Sequence, residues 1–589
     1  MLNELTEHLD LLTTTRTNRS TSVRGRGNKL ELAGIKKLRE LILELAVRGR
    51  LVPQNPEDEP ASALLEKIAA EKAQLVKEGK IKKQNPLPAM KQEEKFFELP
   101  DGWEWCRLTE LIPQFQNGAS SRGDKDGENV IVLRLADIKN WQVSLEDTRS
   151  LTITHNSITR YSVEKDDVLI IRVNGSAEIV GRFITCSKDY DVIYCDHFIR
   201  MRFPIKCLDS RYLSTLGSSR LIRNKIADLF VSTAGQKTVN QTHIGSLPIA
   251  YPPLAEQHRI VTKVDELMAL CDQLEQEETI SITAHQTLVD VMLTTLTDSK
   301  DAFELAESWS LVAEHFDTLF TTEASITRLR QTILQLAVMG RLVPQNPDDE
   351  PAAKLLERIS AEKVQLIKDG KIKKQKKLPT ITDKEKLVEL PNGWKWVRLG
   401  EVITLISGQH LKPDEYTGSH QDGTIPYITG PAEFGPVYPT FSKYTKEKRA
   451  VSEHGDILIT CKGSGIGKMN LAKETTAISR QLMSIRPILL KSDYVQLITK
   501  SLYRYFQSKG VGIAIPGISR EDINDVIIAC PPEPEQKRIV TRINELMTLC
   551  KTLQQQVQQA QSTQQQLASA LVEQAITTHN QPNESHKVA

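Results

Sequence analysis

Three kinds of spacing alternate along the chain. Leu64, Leu65, Ile68, Leu75 and Val76 recur at helical intervals between Pro60 and Gly79, a Pro-start, Gly-stop frame that predicts one helix. Leu355, Leu356, Ile359, Leu366 and Ile367 repeat it between Pro351 and Gly370. Elsewhere β-branched runs broken by Gly and Asn predict strands. These are VIVLRL (130–135), DDVLIIRVNGS (166–176) and HFIRMRF (197–203), then TIPYITG (424–430), GDILITCKGS (455–464) and QLMSIRP (481–487). In the third pattern Ile260, Val264, Leu267, Cys271 and Leu274 step by 4, 3, 4, 3, the rhythm of a coiled-coil seam. Ile539, Ile543, Leu546, Cys550 and Leu553 repeat it, and the pattern runs on through Val557, Ala560, Leu567 and Leu571. It crosses a Gln-rich run (554–566) whose composition alone suggests disorder, and the seam predicts helix there. Each long helix would span about 40 residues, ~60 Å at 1.5 Å per residue, and pairing with the other is the use such a seam suggests. Polar Glu278, Ser281 and His285 interrupt the first seam.

These patterns come twice because the chain is a duplication. Ile42–Gln84 and Ile333–Gln375 match at 33 of 43 positions with an offset of 291. ELPDGWEWCRL (98–108) and ELPNGWKWVRL (389–399) keep that offset. YPPLAEQHRIVTKVDELMALCDQL (251–274) mirrors CPPEPEQKRIVTRINELMTLCKTL (530–553), now offset by 279. Between these anchors the copies barely align. Drift would blur frame and insert alike, so the inserts are read as segments meant to differ.

Composition narrows the class. The 589 residues are 39% hydrophobic and 26% charged, ordinary for a soluble globular protein of about four folding units. No run approaches the ~18 apolar residues of a membrane span, and MLNELTEHLD lacks the basic-then-apolar order of a secretory signal. Eight cysteines without a C-x-x-C pair suggest reduced thiols and a cytoplasmic location. Net charge is +1, which neither demands nor excludes nucleic acid. Basic runs follow the short helices (Lys80, Lys82 and Lys83; Lys371, Lys373, Lys374, Lys376 and Lys377), and Arg16, Arg19, Arg24, Arg26 and Lys29 form an N-terminal arm. Both are read as solvated segments able to lie on phosphates.

Catalytic patterns fail. GSGIGK (463–468) is flanked by Lys462 and Met469 where a phosphate loop needs Gly and Ser or Thr. The Pro-Pro pairs at 252–253 and 531–532 lack the flanks of a base-gripping methyltransferase loop. No histidine is expected to join a cysteine as a metal ligand, and His258, which is Lys537 in the second copy, suits a solvated face. The expectation is a chain with neither catalytic residues nor a metal.

Two copies, each a variable segment introduced by E-L-P-x-G-W-x-W and closed by P-P-x-x-E-Q-x-R-I-V plus a heptad helix, resemble the specificity subunit of type I restriction-modification enzymes. The D-[VI]-L-I strand ending in Gly-Ser (Asp167–Ser176; Asp456–Ser464) and the doubled L-V-P-Q-N-P block are similar to that family too. The resemblance covers about residues 40–580. It implies a mixed α/β fold: two globular α/β target recognition domains separated by two long antiparallel coiled-coil helices, with an internal pseudo-two-fold repeat. The expected divisions are 1–40 (basic arm), 41–97 (helical block), 98–254 (recognition domain 1), 255–300 (central spacer helix), 301–388 (connector and second block), 389–534 (recognition domain 2), 535–578 (C-terminal spacer helix) and 579–589 (tail). It also implies double-stranded DNA as ligand, each domain reading one half of a bipartite target. Two modification (methyltransferase) subunits would dock on the helices, and restriction motor-nuclease subunits would join them. S-adenosylmethionine, ATP and Mg would sit on those partners and none on this chain. A stand-alone bivalent DNA-binding regulatory or architectural protein is the alternative, and a lone nucleic-acid enzyme a weaker one.

Base contacts are expected from polar and basic residues at the ends of insert strands. In the first insert these are Arg134, Arg172, Asn174, Ser176, Lys237 and Asn240. In the second they are Lys462, Ser464, Lys468, Arg480, Ser519 and Arg520. The spacer and partner-docking helices are marked by Ile260, Val264, Leu267 and Leu274, and by Ile539, Ile543, Leu546 and Leu553.

Overall fold

A computed structural model describes residues 9–19, 29–79, 81, 90–120, 122–124, 126–233, 235–299, 301–386, 388–463, 465–509 and 517–577, without the side chains of 17–19 and 29–31. The chain forms two compact units, residues 1–281 with 560–589, and residues 282–559. Ser464, Lys80, Lys82, Lys83, Arg24 and Arg26 lie outside the described residues, as does the tail.

Each unit begins with helices. In the first, Ala33–Val47 precedes Ala61–Lys77; in the second, Glu323–Val338 precedes Ala352–Lys368. The two Pro-to-Gly helices stop where predicted, because Gly79 and Gly370 take φ of 68° and 69°, a left-handed conformation that ends a helix at little cost.

Every predicted strand run contains a strand. In the first insert Phe183–Thr185, Val168–Ile171, Phe198–Arg202 and Gln114–Asn117 form one four-stranded sheet, in that order. Arg149–Ile153, Glu128–Leu133, Tyr190–Tyr194 and Ser162–Val163 form a second. The second insert repeats both orders, with Met469–Leu471, Ile457–Thr460, Leu482–Pro487 and Ile403–Ser407, and then Tyr444–Thr445, Ile425–Ile428, Thr476–Ile478 and Val451–Ser452. The parallel strand pairing recurs too, Ile193 beside Val132 and Tyr427 beside Ala477. VLII and ILIT are buried at every position, as expected of strands covered on both faces. The inserts that do not align in sequence share one fold.

A two-stranded pair closes the base of each insert. Glu104–Arg107 lies antiparallel to Pro248–Tyr251, and Lys395–Arg398 to Ile527–Cys530. The chain thus enters and leaves each insert on neighbouring strands, ~5 Å apart.

The long helices run Leu254–Asp298 and Glu533–Thr577, the Gln-rich stretch included. Their seams are used differently from the expected pairing alone. Ile260, Val264 and Cys271 are buried in the first unit's own core, with Leu267 and Leu274 packed against it. Ile539, Ile543 and Cys550, flanked by Leu546 and Leu553, do the same in the second unit. The far ends have other seats: Val289, Leu293 and Leu296 join the second unit's core, and Ala568 and Val572 pack with Leu12, Leu41 and Leu45 of the first. Among the described residues no helix is long and apolar enough to cross a membrane.

Candidate DNA interface

The repeated motifs hold the inserts on their helices. The indole N–H of Trp103 donates to Glu256 Oε2 at 3.0 Å, and that of Trp394 to Glu535 Oε2 at 2.9 Å. Gln54 donates to Glu256 Oε1 at 3.1 Å. The next residue, Gln257, accepts from the Asp209 amide and donates to the Pro252 carbonyl; Gln536 treats Lys491 and Pro531 alike. Arg259 pairs with Asp58 and Arg538 with Asp349, both at 2.6 Å. The Gln-Asn, Gly-Trp and Glu-Gln-x-Arg motifs therefore close on one another. Burial pushes the Glu256 and Glu535 carboxyls up, against the pull of the indole hydrogen bonds.

Inside each insert the Asp of D-[VI]-L-I is buried and gripped by an arginine of the neighbouring strand in the sheet. Arg202 donates twice to Asp167, at 2.6 Å each, and Arg486 to Asp456 at 3.0 and 2.9 Å. Both aspartates also accept from a backbone amide three residues earlier, of Glu164 and Glu453.

The strand ends converge on one face, held by a matched set of backbone bonds in both inserts. The amides of Arg172 and Cys461 donate to the carbonyls of His197 and Gln481 at 2.7 and 2.8 Å. Their own carbonyls accept from Val239 and Ile518 at 3.0 and 2.8 Å. The amides of Gly118 and Gly408 donate to Phe198 and Leu482. A Cβ on either glycine would lie 2.0 Å from the carbonyl oxygen of Cys195 or Ser479, so only glycine admits this approach.

Five of the six first-insert candidates meet here. Asn174 and Lys237 face each other across paired strands, and Lys237 donates to the Gly175 carbonyl at 3.1 Å. Arg172 reaches the Asp196 carbonyl at 3.4 Å. Asn174 accepts from the Ser176 amide, and Asn240 caps the helix Gln241–Gly245. Arg134 is held elsewhere, bonded to Asp137 at 3.1 and 2.8 Å and to the Asp147 carbonyl. In the second insert Lys462 bridges to Gly517, and Ser519 caps the helix Arg520–Asn524. Arg520 is spent on Ser407 Oγ and the Leu405 carbonyl, 2.8 Å each. Lys462, Lys468 and Arg480 are exposed. Arg16 of the basic arm forms an ion pair with Glu278, so that residue is committed within its unit.

Sequence reasoning missed Asn117, Asp196, His197 and Gln241. Gln241 donates to Asn117 Oδ1 at 3.0 Å, as Arg520 donates to Ser407. The Asn-Gly and Ser-Gly dipeptides at 117–118 and 407–408, each ending a strand, were the available signal. The expectation that no histidine joins a cysteine also needs correction: the donor atoms of Cys195, Asp196 and His197 lie within 4.8 Å of one another.

Comparison with known proteins agrees with this architecture. The family described as "Type I restriction modification DNA specificity domain" matches residues 100–284 and 391–560, one stretch per insert. The EcoAI type I restriction enzyme specificity subunit of Escherichia coli is 39% identical, covering 97% of this chain and 99% of its own. The EcoEI specificity subunit of Escherichia coli is 38% identical over the same shares. A crystal structure of the HsdS subunit from Thermoanaerobacter tengcongensis aligns with 82% of this chain and 99% of its own, at 20% identity and a TM-score of 0.41. These relatives do not favour the stand-alone regulator. With both inserts matched and two relatives similar along nearly their whole lengths, the chain belongs to the DNA specificity subunits of type I restriction-modification systems.

Proposed function

We propose that each insert reads one half of an asymmetric bipartite target in double-stranded DNA, and that the long helices set the gap between the halves. Two modification subunits dock on those helices and methylate adenine in sites this chain selects. Restriction motor-nuclease subunits join to cut unmodified DNA. S-adenosylmethionine, ATP and Mg belong to these partners. As a specificity subunit the chain is a non-catalytic component. The supporting observation is that the two inserts repeat the same two sheet orders and the same set of backbone bonds named above at the shared face, while differing in its side chains. Such a pair reads two different sequences with one geometry.

Mapping methylated adenines in the source cells tests this. A motif of two unlike halves with a fixed gap is expected, and it should vanish when the gene is deleted. A motif that survives deletion would refute the assignment.

A further inference from the structure

We propose that one matched pair of residues on the shared face reads base edges: Asp196 selects a base offering an amino donor in the major groove, and Arg480 selects guanine. The inference rests on the inserts being the DNA-recognition domains.

Their equivalence comes from backbone bonds. The residue before each, Cys195 or Ser479, donates to the neighbouring parallel strand at Leu133 or Ile428, 3.1 and 2.9 Å. The same residue accepts from Phe198 or Leu482 a few places on. Gly118 and Gly408 seat that turn by the close approach described above. Residues 196 and 480 therefore leave the same fixed point of the fold.

Around that point several fold-supporting residues are kept: aspartate at 167 and 456, arginine at 202 and 486, glycine at 118 and 408. On the shared face the charge inverts at 196 and 480. It also inverts at the matched Asp209 and Lys491, but there Asp209 is spent on Arg211 and His258. Opposed charges left exposed on the shared face suit a change of specificity instead. Both side chains are available. The Asp196 side chain is 45% exposed; its Oδ1 is itself buried and has no hydrogen-bond partner among the described residues, so the exposure lies on the rest of the side chain. His197 Nδ1 lies 3.2 Å away without hydrogen-bond geometry. Arg480 is exposed and has no ion pair among the described residues.

Charge decides what each can meet. A carboxylate facing phosphates is repelled, and it is tolerated where it accepts from an exocyclic amino group such as cytosine N4. A guanidinium at the same place donates its fork to guanine O6 and N7. Arg172, which reaches the Asp196 carbonyl, and Lys237, opposite Asn174, supply the positive charge for the phosphates. Metal binding by Cys195, Asp196 and His197 does not account for the shared geometry, because the second insert has Ser479, Arg480 and Gln481 there.

The test uses the complex purified from source cells and a pool of duplexes with one half-site randomised and the other fixed. Wild type should enrich cytosine at one position of the first half-site, and Asp196→Asn should shift that position toward adenine, with a roughly 5- to 150-fold change in preference. The second half-site and the gap should stay as they were. Arg480→Gln should change the second half-site alone, and it carries the test if Asp196→Asn does not assemble. Unchanged preferences in a variant that binds would overturn the inference. Failure of wild type to enrich any sequence would instead overturn the reading of the inserts as recognition domains.

Discussion

A carboxyl buried under an indole recurs in each copy, and it has a measurable pH signature. Glu256 holds the Trp103 N–H while burial raises its proton affinity. A carboxyl that binds protons more tightly folded than unfolded favours folding below its unfolded value. That contribution is lost as pH rises through the folded value. The difference in stability between Glu256→Gln and wild type should therefore grow as pH climbs above the ordinary glutamate range, then level off. Urea titrations from pH 4 to 8 measure it, and a difference that is flat or of opposite slope contradicts it. The Asp167–Arg202 pair makes a second case. Arg202→Met leaves Asp167 buried without its cation and should cost about 3–5 kcal/mol. The Asp167→Leu/Arg202→Met double variant should recover much of that, read by the same titration. The sequence displayed these motifs without their reasons, because Trp103 and Glu256 are 153 positions apart and no local rule joins them. The face proposed to read bases was less legible still. A search for phosphate contacts favours cations and passes over Asp196, whereas Asn240 and Ser519 are also what a helix start selects. Arg134 stands three residues before Asp137 in a turn that pairs them.

The long helices were the most legible part, because a seven-residue rhythm sustained over dozens of residues suits a helix seam and little else. Periodicity cannot say what fills the seam. Ile260 and Val264 face a core that also contains Ile35 and Ile42, and that packing depends on residues more than 200 positions away. Arg39 adds ion pairs to Asp272 and Glu275 at 2.5 and 2.9 Å, fixing the central helix to the first unit. Arg328 pairs with Asp290 at 2.8 Å in the second unit. Length added between these clamps should move them apart without disturbing either. Seven residues inserted after Ser281 and after Gln559 should lengthen the gap in the target by about 10 Å, roughly 3 base pairs, with both half-sites unchanged. Four residues break the 3.5-residue register and should weaken the enzyme. Methylation mapping of the two variants checks this; the old gap in an active seven-residue variant would exclude the helices as the ruler.

The two inserts share sheet order, closing strands and the Trp–Glu anchor, so one should seat in the other's place. Replacing residues 98–254 with 389–533 carries both closing strands along and keeps their register. The resulting protein should select two identical half-sites in place of two unlike ones. Methylated sites that keep the original first half would show that specificity lies outside the inserts.

The first unit has one further property, in the timing of its synthesis. Its seat for Ala568 and Val572 is lined by Leu12, Leu41 and Leu45, which leave the ribosome long before their cover. At roughly 5–20 residues per second, the 278 residues of the second unit take about 14–56 s to make. Throughout that interval the nascent chain carries an open apolar patch, and the second unit can fold before the first is finished. The wait favours a chaperone or an early-arriving partner on that patch, and a ribosome that stalls past residue 281 would leave an incomplete and sticky head.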